Sequence, residues 1–219
     1  MYDVDGTLVD SQASICHAMA SAFVSCGHTA PTREQTLGIV GRSLTEAVGD
    51  LAPELDEASN AEIVAAYRQT AISLRETGRF KAPLYDGAKR HIRNMSRIGP
   101  AVLGIATGKA RRGVNHMVAE HELDGIFTTV QTADMHPSKP HPSMLETACS
   151  QTGISPDNAI MIGDTSFDME MARAAGLMAI GVTWGYHSRE RLQAAGAMHL
   201  VGDFEGLENL LSEITGLRP

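Results

Sequence analysis

The chain has 219 residues, of which 43% are hydrophobic, and a formal net charge of −8. This length fits one large domain, or one domain with a smaller insert, and the apolar fraction is too high for a disordered chain. The 18 lysines and arginines form no long basic stripe, which argues against a nucleic-acid partner. No apolar run approaches the ~20 residues that a membrane helix needs, so no membrane partner is expected.

The cysteine usage points to a reducing compartment. Cys16, Cys26 and Cys149 lie far apart and form no CxxC pair, which is typical of reduced thiols. No signal-peptide pattern precedes Met1. We therefore expect a cytoplasmic protein.

The first third of the chain after residue 10 has helical periodicity. Ile15, Ala18, Met19, Ala22 and Phe23 recur at helical spacing, and Gly27 ends the run. No convincing strand pattern interrupts this region, so a helical insert is expected after the first strand. Further helical patterns cover residues 32–39, 43–51 and 58–77, and Gly78 is the expected stop of the last.

From about residue 83 onward, short apolar runs alternate with helical patterns. This alternation predicts an α/β fold with a parallel sheet covered by helices on both faces. The predicted strands cover residues 101–107, 126–131, 159–163, 177–182 and 198–201. The predicted helices lie near residues 109–122, 142–152, 166–175, 188–195 and 204–214.

Two carboxylates end the first strand, in the sequence Asp3-Val4-Asp5-Gly6-Thr7. Residues i and i+2 of a strand point to the same face, so both carboxylates are expected in one space. Like charges this close need a cation or a shared proton. A calcium loop counted from Asp3 fails because Thr7 and Leu8 stand where Asp or Asn and Gly are required.

Three later strand ends carry further candidate groups. Thr107-Gly108 leads into a helix start, which suits a phosphate oxygen. Lys139, between two prolines, could neutralise a phosphate or a carboxylate. Asp164 and Asp168 could hold a divalent cation, or Asp168 could orient Lys139. Taken singly, these residues could also be a strand-end threonine, a solvated lysine and helix caps.

The four motifs occur in the order D-x-D-G-T, T-G, K-P and G-D-x-x-x-D. This ordered set resembles the haloacid dehalogenase superfamily of phosphohydrolases, and most closely its phosphoglycolate phosphatase-like branch. The resemblance covers essentially the whole chain. It implies a Rossmann-like catalytic core made of residues 1–10 and 83–219, with residues 11–82 as an inserted α-helical cap.

The resemblance also implies a mechanism. Asp3 would be the nucleophile that forms an aspartyl-phosphate. Asp5 would protonate the leaving alkoxide and then activate water. Mg²⁺ would be held by Asp3, the main-chain carbonyl of Asp5, and Asp164, because this cation prefers oxygen ligands and takes few carboxylates.

The remaining implied roles concern substrate binding. Thr107, the Gly108 amide and Lys139 would bind the phosphoryl oxygens, and Asp168 would support Lys139 or a metal-bound water. Arg42, in the region where relatives place a specificity loop, is the candidate for a second anionic group on the substrate. Lys109 is interpreted as ordinary helix surface, although it could add positive potential.

These features predict a Mg²⁺-dependent phosphatase of a small phosphate monoester, with 2-phosphoglycolate as the leading candidate and a monomer or homodimer as the assembly. A phosphosugar mutase, similar to beta-phosphoglucomutase, is the alternative. A signalling receiver domain fits poorly, because IFTTVQ (126–131) does not end in Asp. Only Met1 and Tyr2 precede Asp3, so we expect the native chain to begin a few residues upstream.

Overall fold

The computed structural model describes residues 1–217 as an α/β protein with five short strands and ten α-helices. The strands are β1 (Gly104–Thr107), β2 (Thr129–Thr132), β3 (Ile160–Gly163), β4 (Met178–Val182) and β5 (His199–Val201). The first helices are α1 (Gln12–Ser25), α2 (Arg33–Gly38), α3 (Leu44–Leu51), α4 (Glu57–Glu76) and α5 (Ala88–Met95). The others are α6 (Arg111–Glu120), α7 (Ser143–Thr152), α8 (Ser166–Ala174), α9 (Arg189–Ala195) and α10 (Phe204–Thr215).

The strands are parallel, and the N-terminal segment joins them into one sheet. β1 pairs with β2, while β3, β4 and β5 pair in that order. Tyr2 forms parallel bridges to both Ile105 of β1 and Ile162 of β3. The order across the sheet is therefore β2, β1, the N-terminal segment, β3, β4, β5, which confirms the predicted parallel α/β fold.

The N-terminal segment is extended only as far as Asp3. The Tyr2 N–H donates to Gly104, and the Asp3 N–H donates to Ile162. The carbonyl of Val4 then accepts from the amides of the three residues 7–9, so the chain turns immediately. Asp3 and Asp5 are thus brought to the same cavity by a turn, and not by the strand alternation that the sequence suggested.

Each face of the sheet is covered by three helices. Helices α5, α6 and α10 pack on the face that carries Ile105, Ile162 and Ile180. Helices α7, α8 and α9 pack on the face that carries the adjacent residues Ala106 and Met161. Neighbouring strand residues therefore enter opposite cores, as the two-residue period of a strand requires.

Residues 12–76 form the four helices α1–α4, in the predicted places. Helix α1 packs along α4, with Met19, Phe23 and Ile63 in their shared core. Thr32, Ser43 and Asp56 cap the starts of α2, α3 and α4. We call residues 11–82 the helical insert, and its status as a separate cap remains a proposal.

Helix α5 was not predicted. Its sequence AKRHIRNM is rich in charged side chains, which conceal the short apolar stripe of Ala88, Ile92 and Met95. These three residues and His91 are buried against the sheet. Within residues 1–217, none of the helices is both long and apolar enough to cross a lipid bilayer.

Candidate active site

Four sequence motifs meet at the carboxyl-terminal edge of the parallel sheet, where ligands of such folds bind. Asp3 ends the N-terminal segment, Thr107 ends β1, and Asp164 directly follows β3. Lys139 reaches the same place from the loop after β2. All four side chains are buried. The strand ends therefore bring together the residues that the sequence proposed.

Lys139 is the buried cation at the centre of this cluster. Its side chain is 0% exposed, and its Nζ lies 2.6 Å from Asp168 Oδ1 and 3.1 Å from Asp3 Oδ1. Burial alone would lower the pKa of Lys139, but the charges of Asp168 and Asp3 outweigh this effect and raise its pKa. Lys139 is therefore a fixed positive charge beside Asp3.

Asp168 has two structural duties. It completes a capping box at the start of α8, where its Oδ2 accepts from the amide of Thr165 and its amide contacts Thr165 Oγ1. Its Oδ1 accepts from Lys139. Gly163 leaves room for this carboxylate, because a Cβ there would overlap it. Asp168 therefore has both of two roles that the sequence left open: it caps a helix, and it pairs with Lys139.

Asp164 is held by two hydrogen bonds. Its Oδ1 accepts from Thr7 Oγ1 at 2.8 Å, and its Oδ2 accepts from the Tyr186 amide at 2.9 Å. A Cβ on Gly6 or on Gly185 would overlap the Asp164 side chain, so both glycines allow close approach of the backbone. Gly6 also has φ +83°, which favours glycine. Gly6 of the first motif thus makes room for Asp164 of the fourth motif.

Three carboxylates lie close enough to share one cation. Oxygen atoms of Asp3, Asp164 and Asp168 all lie within 4.8 Å of one another. Burial raises the pKa of Asp3 to about 6, with Lys139 opposing the shift and Asp168 adding to it. Burial, followed by the charges of Asp3 and Asp168, also raises the pKa of Asp164. One lysine does not balance three buried carboxylates, so a further cation would relieve their repulsion.

The carboxylate of Asp3 shows most directly that a ligand fits here. Both of its oxygens are buried, and neither has a hydrogen bond of good geometry from any of residues 1–217, although the Thr107 hydroxyl and the Val4 amide lie close enough to lower its pKa. The approach of Lys139 at 3.1 Å is an ion pair without hydrogen-bond geometry. Buried carboxylate oxygens normally have partners. An all-oxygen donor set of this kind suits a hard divalent cation such as Mg²⁺.

Asp5 is held apart from this carboxylate cluster. Its Oδ2 lies 2.8 Å from Lys109 Nζ, and its Oδ1 accepts a hydrogen bond from Ser11 Oγ. Lys109 was interpreted as helix surface, and that interpretation was wrong: its ammonium turns into the cavity and pairs with Asp5. Ser11 stands at the N-cap position of α1, but its hydroxyl serves Asp5 and Tyr186 instead of the helix.

Trp184 contributes to the site indirectly. Its indole N–H donates to the carbonyl of Thr7 at 3.0 Å, and its ring packs 4.8 Å from that of Phe204. No sequence pattern predicted that this tryptophan would hold the turn of the first motif. Such a long-range contact to a main-chain carbonyl has no local sequence pattern.

A cavity of about 840 Å³ opens from this cluster between the core and the helical insert. Asp3, Asp5 and Thr107 line one end. Arg42 lines the insert side, with its guanidinium 2.7 Å from Glu46 and 2.9 Å from Asp50. Its role in binding a second substrate anion stays a prediction, because an anion would have to compete with those two carboxylates.

The helical insert is seated directly on the core beside the cavity. The Ser43 amide donates to Ser138 Oγ at 2.7 Å, and the Gly38 carbonyl accepts from His187 Nε2 at 3.3 Å. A Cβ on Gly108 would overlap the carbonyl of Gly41. Gly108 therefore permits the helical insert to approach the end of the cavity that Asp3, Asp5 and Thr107 line.

Comparisons with known proteins agree with this geometry. Residues 1–182 match the family described as haloacid dehalogenase-like hydrolase. The chain is 33% identical over 210 residues to a probable phosphatase, IndB, of Dickeya dadantii, covering 93% of this chain and 89% of that protein. It is 28% identical to the pyrophosphatase PpaX of Bacillus cereus, over 98% of this chain and 96% of that protein.

Two further similarities concern the predicted branch and the fold. The chain is 28% identical to a phosphoglycolate phosphatase of Photobacterium profundum, covering 94% of this chain and 92% of that protein. The crystal structure of a predicted phosphatase from Clostridium acetobutylicum superposes with a TM-score of 0.84 at 26% identity, over 99% and 97% of the two chains. The sequence expectation of a hydrolase with phosphatase relatives is confirmed, and the chain belongs to the haloacid dehalogenase-like hydrolase family.

Proposed function

We propose that the protein is a Mg²⁺-dependent phosphatase that hydrolyses phosphate monoesters through an aspartyl-phosphate on Asp3. The observation that carries the proposal is the buried carboxylate of Asp3, which has no well-formed hydrogen bond within residues 1–217, beside Lys139 and lining a large cavity. A nucleophile needs free lone pairs, and a carboxylate whose oxygens accept no well-formed hydrogen bond has them.

Asp3, the main-chain carbonyl of Asp5, and Asp164 would hold Mg²⁺, with Asp168 close enough to bind it directly or through water. When bound, the cation would offset the repulsion between a carboxylate nucleophile and a phosphate dianion. Gly6 and Gly185 leave room for the Asp164 side chain, which the Thr7 hydroxyl and the Tyr186 amide hold in place.

The first chemical step would belong to Asp3 and Asp5. An oxygen of Asp3 attacks phosphorus, the bond between phosphorus and the ester oxygen breaks, and its electron pair stays on that oxygen. Asp5, in its carboxylic acid form, gives its proton to the departing alkoxide. The products of this step are the free alcohol and a phosphorylated Asp3.

The second step would release phosphate. Asp5, now a carboxylate, takes a proton from water as the water oxygen attacks phosphorus. The bond between phosphorus and Asp3 breaks, and its electron pair returns to the Asp3 carboxylate. The contacts of Asp5 with Lys109 and Ser11 keep its side chain oriented for both proton transfers.

Thr107, the Gly108 amide and Lys139 would bind the phosphoryl oxygens. Thr107 is buried beside Asp3, and its hydroxyl accepts from the Lys109 amide at 3.3 Å, so its own proton can point elsewhere. Lys139 supplies full positive charge where negative charge accumulates during transfer. Residues 11–82 would act as the cap that excludes water from the cavity.

The substrate to test first is 2-phosphoglycolate, because one relative is named a phosphoglycolate phosphatase. Pyrophosphate is the second candidate, because another relative that spans nearly the whole chain is named a pyrophosphatase. A phosphosugar mutase would use the same aspartyl-phosphate but return the phosphoryl group to a sugar.

Release of inorganic phosphate tests the proposal. The panel contains 2-phosphoglycolate, pyrophosphate, hexose phosphates and nucleotides, each with Mg²⁺ or with EDTA. We expect release that requires Mg²⁺ and falls at least about a thousandfold in Asp3→Asn. Asp157→Asn, a change at an exposed aspartate outside the cavity, is the matched control and should keep full activity.

Two results would contradict the proposal. Turnover by Asp3→Asn at the rate of the Asp157→Asn control would remove Asp3 from the mechanism. A phosphorylated enzyme that passes its phosphoryl group to a hexose phosphate, without release of phosphate, would favour the mutase.

A further inference from the structure

We infer, on the basis of the proposed function, that the alcohol half of the preferred substrate is elongated, with an apolar body and a second anionic group. The site would still turn over a short ester such as 2-phosphoglycolate. The cavity, however, continues well beyond the volume that such an ester needs, and its walls have the chemistry of a longer molecule.

The cavity is larger than a short ester needs. At about 840 Å³ it lies within the range of pockets that hold drug-sized ligands. A two-carbon acid phosphate would fill roughly a third of it, even if each non-hydrogen atom took the ~30 Å³ of a water molecule in the liquid. A short ester would leave most of the cavity filled with water.

The cavity is also long, because one face of α6 lines it along most of the helix. The lining residues recur at helical spacing and span about 10 Å of helix at 1.5 Å per residue. They are Arg112, Gly113, Asn115, His116 and Ala119. Since α6 begins just after Thr107 and Gly108, this wall leads away from the phosphate end.

A face of α4 from the helical insert lines the same cavity. Its residues span about 13 Å of helix at the same rise. They are Tyr67, Arg68, Ala71, Ile72, Arg75 and Glu76. We call the part of the cavity lined by these faces of α4 and α6 the slot. Its length suits an extended ligand.

The insert side of the slot is largely apolar. Ile15 and Met19 of α1 and Leu44 of α3 line it, together with Ala71 and Ile72. Burial of apolar surface by a ligand against such a wall is favourable, at about 25 cal/mol per Å². A ligand with an alkyl or aromatic body would gain this contribution, and a two-carbon acid would not.

Three arginines along the slot have no carboxylate partner. Arg68, Arg75 and Arg112 form no ion pair with any of residues 1–217, whereas Arg42 and Lys109 are paired. Arg75 is oriented by its guanidinium lying 4.1 Å from the centre of the Phe80 ring.

Two carboxylates also line the slot, and they do not cancel the arginines. Asp134 accepts hydrogen bonds from the Arg111 amide and from Thr132 Oγ1. Glu76 lies at the end of α4, beside Arg75. Over the whole cavity lining, five basic side chains stand against four carboxylates, an excess of one positive charge in a chain whose net charge is −8. The basic residues are Arg42, Arg68, Arg75, Lys109 and Arg112, and the acidic ones are Asp3, Asp5, Glu76 and Asp134. Arginine pairs readily with carboxylate or phosphate, so a second anion on the substrate is the matching group.

A ladder of synthetic esters tests this inference. The probes are ω-carboxyalkyl phosphates with one to eight methylenes, beginning with 2-phosphoglycolate, and alkyl phosphates of equal length that end in a methyl group. We expect kcat/KM to rise roughly threefold to fourfold for each buried methylene. We also expect the carboxylate series to exceed the methyl series at least about tenfold at its best length.

Two variants separate the parts of the inference. Ala119→Trp places a bulky ring at an exposed position of the slot and should lower kcat/KM for long esters at least tenfold more than for 2-phosphoglycolate. Arg68→Ala combined with Arg112→Ala should remove the advantage of the carboxylate series over the methyl series. Arg97→Ala, at an exposed arginine outside the cavity, is the control.

Failure of the inference is distinguishable from failure of the proposed function. If 2-phosphoglycolate is hydrolysed best and kcat/KM falls with each added methylene, the elongated substrate is wrong and the phosphatase stands. If the methyl and carboxylate series are equal, the second anion is wrong. If no ester in either series releases phosphate, the proposed function itself fails.

Discussion

The two ends of the cavity are built in different ways. At the sheet end, the buried Lys139 pairs with Asp3 and Asp168, and the buried Asp164 is held by the Thr7 hydroxyl and the Tyr186 amide. Along the slot, Arg68, Arg75 and Arg112 form no ion pair within residues 1–217, and apolar side chains such as Met19 and Ile72 line the same cavity. Tight mutual contacts suit groups that must hold one geometry for chemistry, whereas an open slot with unpaired charges suits groups that await a substrate.

The comparison predicts that substitutions at the sheet end cost both stability and activity. Asp168→Ala leaves Lys139 buried with one fewer anion and should lower the free energy of unfolding by about 3–5 kcal/mol. The matched control is Asp203→Ala, which removes the cap of α10 but no buried ion pair and should cost about 1 kcal/mol. Urea denaturation measures both, and equal losses would show that Asp168 acts only as a helix cap.

The glycines that surround Asp164 give a second way to break the sheet end. In Gly185→Ala the new methyl group would overlap the Asp164 side chain, and the carboxylate would have to move. We expect activity to fall roughly a hundredfold, since a displacement of about 1 Å costs that much. Gly202→Ala, where a Cβ has open space, should be neutral. Full activity in Gly185→Ala would mean that the position of Asp164 does not matter.

A buried histidine in the core, away from the candidate active site, allows the stability of the core to be tested separately from activity. His91 is buried between Tyr2 Oη at 2.9 Å and Glu208 Oε1 at 3.3 Å. Burial lowers the pKa of His91 to about 4, with Glu208 opposing the shift. The unfolded chain therefore binds this proton more readily than the folded one, so the contribution of His91 to stability is lost as pH falls from about 6.5 to 4.

The magnitude follows from that shift. Between pH 7 and pH 5, His91 should remove about 2 kcal/mol from the free energy of unfolding. His91→Gln should lose about that much less over the same interval, while His17→Gln, at an exposed histidine, should follow the parent protein. Denaturation at the two pH values decides this, and parallel losses in all three proteins would contradict the assignment.

The smallest effect on activity is expected from a change at Lys109, which pairs with Asp5. Lys109→Met keeps the length of the side chain but removes the ammonium 2.8 Å from Asp5. Asp5 would then be less well oriented for proton transfer, and kcat should fall roughly tenfold with little change in stability. Steady-state kinetics with 2-phosphoglycolate measures it. Arg97→Ala serves again as the control, and an unchanged kcat would make Lys109 a bystander.

Many residues at the sheet end of the cavity could be predicted, because their positions depend on local motifs and on the order of the strands. Parallel strands present their carboxyl ends at one edge, so Thr107, Lys139 and Asp164 had to converge once the strands were recognised. Contacts between residues that lie far apart along the chain could not be predicted from the sequence. Lys109 finds Asp5, and Trp184 finds the carbonyl of Thr7, through the fold alone.

The slot was the least predictable part. Arg68, Arg75 and Arg112 lie on ordinary amphipathic helices, and only the seating of α4 opposite α6 places them along one cavity. Helix α5 escaped prediction for a related reason, because its charged residues hide the buried stripe that contacts the sheet.

Direct detection of a phosphorylated Asp3 tests the central claim. The protein and its Asp5→Asn variant, in which the second step should slow, are quenched in acid during turnover of 2-phosphoglycolate with Mg²⁺, and their peptides are mapped by mass spectrometry. We predict a phosphoryl group on Asp3 that accumulates in Asp5→Asn and is absent from Asp3→Asn. Turnover with the phosphoryl group on another residue, or with none on Asp3 in Asp5→Asn, would contradict the mechanism.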